Sequence, residues 1–471
     1  MRGIQNEVVS GSTTTSELLL DMVASNRQGH RVGIPSVCSA NRFVLEAAMR
    51  QAARDETVTL IESTCNQVNQ FGGYTGMTPG DFMNVVAVVA DSQDFPRRGV
   101  IVGGDHLGPY PWRDEPASVA MGNAGELVRQ CVLAGYSKIH LDCSMRLDDD
   151  PGADGEPLDD ETATARTAEL AAVAEAAYAD RGTETPPPVY VIGTEVPVPG
   201  GEQAEQAGPV PTTVDHVERT VTLAHKAFAE AGLEGAWGRV IGLVVQPGVE
   251  FGDEVVFDFD PLAARPLAET VDQLPHLVYE AHSTDYQTPA ALWGLVEAHF
   301  GILKVGPALT FAMRQAIFGL AAIETELYGD GGGPGSPGAG RASVGGDQTA
   351  SGKVVPSRLR QVLHETMLAH PEHWASYYSG DEPTVRLARD FSYSDRVRYY
   401  WPRPELTDAL ERLLANLAER PIPPTLLSQY LPEQYRAWRS GELGERAEPA
   451  ELIRHAILTT LDPYAAACGM R

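Results

Sequence analysis

Basic residues are scarce in this chain: 36 Lys and Arg stand against 64 Asp and Glu, a formal net charge of −28. That balance excludes nucleic acid and anionic membrane as partners, because both are bound through basic surfaces. Any anionic ligand must be met by a local pocket of cations or backbone amides set against the overall field. Long apolar runs are absent as well: no segment approaches the ~18 apolar residues that a membrane-spanning helix needs. Near the start, the patch Leu18–Leu20 is bracketed by Glu17 and Asp21, too short for the hydrophobic region of a secretory signal. Cysteines number only five, at positions 38, 65, 131, 143 and 468, an odd and scattered set that makes no disulfide framework. A cytoplasmic protein is expected. No Lys-Ser/Thr pair follows the glycines of 329–352 at Walker spacing, and no Cys-x-x-Cys pair or Ser-His-Asp nucleophile elbow occurs.

What is present is a rhythm. Eight short β-like runs alternate with helix-like stretches: Val32–Ser39, Thr57–Ser63, Gly99–Asp105, Lys138–Asp142, Val189–Val196, Arg239–Gln246, His276–Ser283 and Gly301–Val305. Most are continuously apolar, as parallel strands covered on both faces must be. The intervening stretches carry helix-end signals: Asn41 as a cap, Thr78-Pro79-Gly80-Asp81 as a start, Gly135 as a stop. Eight βα units predict an α/β fold, a (β/α)8 TIM barrel over 31–328. A helical lead-in over 1–30 precedes it, and a helical C-terminal region over 353–471 follows. Two stretches interrupt the rhythm, an acidic loop at 146–157 and a flexible Gly-rich loop at 329–352.

In such barrels the C-terminal ends of the strands carry the chemistry, so the polar residues there weigh most. His106, Glu195 and His282 stand at the ends of strands three, five and seven, with Gln246 at strand six. Two imidazoles and a carboxylate suit a divalent metal with an open position, zinc first, with manganese, cobalt or magnesium as alternatives. A metal-free hydrogen-bonding pocket is the competing reading. Asp105 and Asp142 are candidate acid–base groups, with Glu195 a third. Asp142 fits equally well as the group that orients a histidine. His140, two residues before Asp142, reads as a core histidine. Candidate substrate and phosphate contacts are Ser39, Asn41, Gln246, Ser283 and Asp285 at the strand ends, then Lys304 with Gly306 at a helix N-terminus. Arg396 and Arg398, among hydroxyls and aromatics, complete that set as a phosphate clamp.

Several of these segments, in order, resemble one family. Gly33-Ile-Pro-Ser-Val-Cys-Ser-Ala-Asn41, Glu62-Ser-Thr-Cys-Asn-Gln67, Gly103-Gly-Asp-His-Leu-Gly-Pro109, Lys138-Ile-His-Leu-Asp-Cys-Ser-Met145, Ala281-His-Ser-Thr-Asp-Tyr-Gln287 and Tyr393-Ser-Asp-Arg396 are similar to the tagatose-bisphosphate aldolase Z-type (GatZ/KbaZ) family. The family is related to class II aldolases. The resemblance implies proton transfer by Asp105, metal ligation by His106 and His282, and a match of Glu195 to the strand-five glutamate. Gln246 departs from the pattern, since those aldolases carry a metal histidine at strand six; a neutral amide ligates zinc more weakly, which counts against plain bisphosphate aldolase activity. The family has two roles, an independent tagatose-6-phosphate/fructose-6-phosphate 4-epimerase and a partner that supports a separate aldolase subunit. The reading favoured here is the metal-dependent 4-epimerase, by retro-aldol and aldol chemistry on a phosphorylated ketohexose. The alternative is a non-catalytic subunit that activates and stabilises a class II aldolase Y-type partner. Assembly into a homo-oligomer is expected.

Overall fold

Continuous apolar strands can be buried only if helices cover them on one side and other strands face them on the other. The computed structural model meets that demand; it describes residues 13–152, 157–182, 185–196, 208–271, 273–274, 276–329 and 354–471. Eight parallel strands close into a barrel: β1 (Ile34–Cys38), β2 (Thr59–Thr64), β3 (Val100–Leu107), β4 (Lys138–Asp142), β5 (Val189–Gly193), β6 (Val240–Val244), β7 (Val278–Ala281) and β8 (Phe300–Val305). Closure is made where β8 pairs with β1, with Lys304 opposite Ser36. The expected barrel is the observed one, and no sheet edge remains in it.

The helices that follow the strands are α1 (Arg42–Arg54), α2 (Pro79–Ser92), α3 (Ala117–Ala134), α4 (Asp160–Arg181), α5 (Val214–Glu230), α6 (Arg265–Val271), α7 (Pro289–Glu297) and α8 (Pro307–Tyr328). Their ends follow the sequence signals. Asn41 accepts the Phe43 amide at 3.0 Å, Thr78 and Asp81 cap each other reciprocally, and Gly135 ends α3 at φ 106°. The acidic loop contributes another cap: Asp149 accepts the Ala117 amide at 2.7 Å at the start of α3. Its neighbour Asp150 pairs with Arg166. Residues 153–156 of that loop, and the Gly-rich stretch beyond Gly329, lie outside the described residues.

The chain divides into two units, one running to Ala308 and resuming at Thr460–Arg471, the other Leu309–Thr459. Residues 460–471 therefore group with the barrel instead of with the C-terminal helices. Tyr464 Oη donates to the Thr284 carbonyl at 2.6 Å, and the Gly33 amide donates to the Cys468 carbonyl at 3.1 Å. The second unit is helical, and its polar core is the pair Arg314–Asp395 at 2.8 Å. Asp395 takes a left-handed φ of 44° and accepts from Thr310 Oγ1 at 2.5 Å. Among the described residues, no helix is long and apolar enough to cross a membrane.

Candidate metal centre

Side chains in a strand alternate between its faces. β4 therefore sends Lys138, His140 and Asp142 to one side, and contacts across the barrel show that side to be the interior. Lys138 Nζ lies 2.7 Å from Glu62 Oε1 and 2.7 Å from Glu280 Oε2. Lys304 Nζ touches Glu62 Oε2 and lies 2.8 Å from Asp105 Oδ1 and 3.5 Å from Glu280 Oε1. Glu62, Lys138, Glu280 and Lys304 thus form a closed ring of alternating charge, buried throughout. An isolated charge in such a place costs several kcal/mol, about enough to unfold a domain if a few stood unpaired; alternation is what makes the ring tenable.

The ring meets three imidazoles at the C-terminal ends of the strands. The ring centroids of His106, His140 and His282 lie 5.2, 4.9 and 5.3 Å apart pairwise. His140 Nδ1 is 2.8 Å from Asp105 Oδ1, and the His106 amide is 3.1 Å from the same nitrogen. An ionised Asp105 can only accept and the His106 amide N–H can only donate, so the two contacts call for opposite states of Nδ1; the tautomer with its proton on Nδ1 leaves a lone pair on Nε2. That Nε2 is buried without a hydrogen-bond partner. His282 Nε2 is held by Glu280 Oε1 at 3.0 Å. His106 sits at a register shift of β3 between Gly104 and Leu107, with φ +49°. Its Nδ1 is 2.7 Å from Asp142 Oδ2, which leaves Nε2 3.7 Å from Asp105 Oδ2. Ser144 fixes Asp142 in turn, donating from Oγ at 2.6 Å.

Burial opposes every charge here, and the partners decide the outcome. For Asp105, burial pushes upward, but His106, Lys304 and the His140 hydrogen bond outweigh it and hold the carboxyl well below its usual range. Asp142 is brought down to about 2 against burial by His106 and Ser144, and burial of His106 is outweighed by Asp105 and Asp142, which raise it. Burial takes His282 down to about 4 despite Glu280. Lys304 stays well above its usual value although burial works the other way, because Asp105, Glu62 and Glu280 surround it. Burial pushes the Cys38 thiol well up.

Asp105, His140, Glu280 and His282 each offer a ligand atom, and these atoms all lie within 4.8 Å of one another. Two imidazoles, two carboxylates and an unpartnered Nε2 are a donor set that fits a divalent cation. Cys38, Glu62 and Asp105 form a second such group. That group has no imidazole, and burial keeps its thiol from ionising, so the first group, with two imidazoles, is the better site.

The sequence-derived candidates fall into three sets. Asp105, Asp142, His106 and His282 converge as described. His140, read as a core histidine, is fully buried as expected but belongs to the cluster. Glu195 lies past the end of β5, half exposed, accepting from Thr212 Oγ1 at 2.6 Å; Glu280 of β7 occupies the cluster instead. Gln246 is turned into its own loop, its amide oxygen accepting the Gly248 and Val249 amides at 2.8 and 3.0 Å. Asp285 Oδ1 accepts the Gly306 and Ala308 amides at 3.0 and 2.8 Å, so a protein carboxylate occupies the helix N-terminus expected for phosphate. Ser39 Oγ accepts the Asn41 amide at 3.2 Å, and Ser283 takes φ +53°. In the second unit Arg396 stacks over Tyr377, 3.0 Å from the ring centre, and Arg398 NH2 donates to Tyr399 Oη at 2.9 Å. Glu62 and Lys138 open two of the motifs that carry the resemblance, yet neither they nor Glu280 drew a site role from the sequence. Their signal was polar residues two apart inside apolar strands: 138, 140 and 142 on β4, and 280 and 282 across the end of β7.

Fold and site together define a closed (β/α)8 barrel protein with carboxylates and imidazoles gathered at its strand C-termini. The chain belongs to the D-tagatose-1,6-bisphosphate aldolase subunit GatZ/KbaZ-like family, which it matches over residues 19–333 and 347–469. Among solved structures it is similar to one described as a probable tagatose 6 phosphate kinase from Sinorhizobium meliloti 1021, at 45% identity and a TM-score of 0.78, covering 93% of this chain and 100% of that one. It also matches a fructuronate-tagaturonate epimerase from Cohnella laeviribosi at 11% identity and a TM-score of 0.48, over 94% of this chain and 82% of that one.

Proposed function

We propose that this chain serves ketohexose phosphate metabolism as a Z-type subunit that activates and stabilises a class II tagatose-1,6-bisphosphate aldolase. The observation that carries this reading is the family match, which spans both units of the chain. The description of the solved relative as a kinase is that protein's own, and no residue of the cluster calls for it. The reading is tested by co-expressing the chain with a Y-type class II aldolase subunit. Aldolase activity and thermal stability should rise together; an aldolase indifferent to its presence contradicts the reading.

A specific observation favours a second reading, the 4-epimerase acting between tagatose 6-phosphate and fructose 6-phosphate: the four-residue cluster with its unpartnered His140 Nε2. A divalent ion there, zinc first, would polarise a ketone and its neighbouring hydroxyl. Asp105 or Asp142, the two carboxylates beside His106, is the proposed base. It would take the C4 hydroxyl proton as the C3–C4 bond breaks, leaving an enediolate and an aldehyde. Rotation of the aldehyde and re-formation of the bond on its other face invert C4. Purified protein supplied with zinc or manganese should convert fructose 6-phosphate to tagatose 6-phosphate; no conversion with any divalent metal removes this reading and leaves the subunit role.

A further inference from the structure

The buried ring that underlies the cluster shares Glu280 with it, and a second member, Lys304, reaches toward the cluster as well. Lys304 joins the ring to the cluster through Asp105 Oδ1 at 2.8 Å and Glu280 Oε1 at 3.5 Å. An ammonium has three N–H donors, and Lys304 faces three carboxylates, Glu62, Asp105 and Glu280. It therefore has no donor left for a substrate and no lone pair for attack on a carbonyl. Formal charge shows what it does instead. Asp105, Asp142, Glu62 and Glu280 bring four negative charges, and Lys138 and Lys304 bring two positive ones. The buried set is left with two negative charges, which a dication would neutralise.

We propose that Lys304 is a positioning residue that sets the charge of the centre, limiting it to one divalent cation held at moderate affinity and holding Asp105 toward His140. The inference rests on reading the cluster as a divalent-cation centre. The position of Lys304 at the end of β8, one residue before the strand's last, ties that charge to the barrel frame. Lys138 balances the inner side of the same ring, and both of its carboxylate partners, Glu62 and Glu280, also contact Lys304.

The test compares four full-length proteins stripped of metal: wild type, Lys304→Met, Glu62→Gln and the double variant. Titration calorimetry with zinc and with manganese at about pH 8 keeps the imidazoles largely neutral. Removing the ammonium should tighten binding about tenfold or more, the scale of one charge at an effective dielectric of about 20. Glu62→Gln should weaken binding about tenfold, and the double variant, whose charge equals that of the wild type, should return to within about threefold of it. A merely structural lysine gives another order: both single variants bind more weakly and the double variant is the weakest, which overturns the proposal. If Lys304→Met does not fold, Glu62→Gln and the double variant still decide by whether restoring charge restores affinity. A wild type that binds neither metal overturns the centre itself, a result distinct from a failed ordering among variants that do bind.

Discussion

His140 Nε2 is the atom on which the account turns at the scale of single residues. A buried nitrogen without a partner costs on the order of 1–3 kcal/mol, and its neighbours are two carboxylates and another imidazole. His140→Ala should lower affinity for divalent cations by at least about a hundredfold, read by calorimetry, while circular dichroism remains that of a folded barrel. Asp142 makes a pH prediction. Its carboxyl lies at about 2 in the folded protein against an ordinary 3.8, so it is depressed on folding. The stability it adds is complete above the ordinary value and is lost as pH falls from about 4 toward 2, roughly 2 kcal/mol in all. Acid titration of metal-free protein should show that loss, and Asp142→Asn should flatten it; an unchanged acid limb would contradict the His106–Asp142 bond. Single residues were the hardest scale to read from sequence. Asp105, His106 and His282 stood out because they close their strands, whereas Glu280 and Lys138 lie within strands and only their partners across the barrel reveal them.

At the scale of elements, the site depends on how β3 and β4 meet. A Cβ on Gly108 would stand 1.7 Å from the Asp142 carbonyl oxygen, a backbone atom that cannot yield without moving β4. Gly108→Ala should therefore lower the melting temperature and weaken metal binding together, since it displaces Asp142 and the His106 it orients. Asn41→Ala, in contrast, should cost about 1 kcal/mol of stability through the lost cap on α1 and leave metal affinity unchanged in the same calorimetric assay. The strands were legible because continuous apolar runs of four to eight residues have few other uses, and helix starts because Asn41 and Thr78 satisfy amides that would otherwise stand bare. Helix ends were less so. α7 stops at Glu297 because His299, at φ +67°, turns the chain into β8, and a histidine does not announce a left-handed turn as Gly135 does at the end of α3.

For the whole molecule, the deficit of basic residues frames the chemistry. The net charge of −28 is matched inside the barrel by a smaller surplus of carboxylate over ammonium, so acidity runs from surface to centre. A bound dication offsets the internal part, and ligand binding to the folded state alone stabilises it by roughly 2.7 kcal/mol at a hundred times the dissociation constant. Chelator should accordingly lower the melting temperature and zinc restore it. The two units differ from the segments read in the sequence at two places: Leu309–Tyr328 groups with the C-terminal helices and Thr460–Arg471 with the barrel, although the helix Pro449–Ala467 runs through that last change with Pro463 inside it.

The most direct test is anomalous diffraction from crystals grown with zinc or manganese. The account predicts one strong peak per chain bounded by Asp105, His140, Glu280 and His282. A barrel interior without a peak, or one with the ion at Glu195 and Gln246 instead, would contradict it.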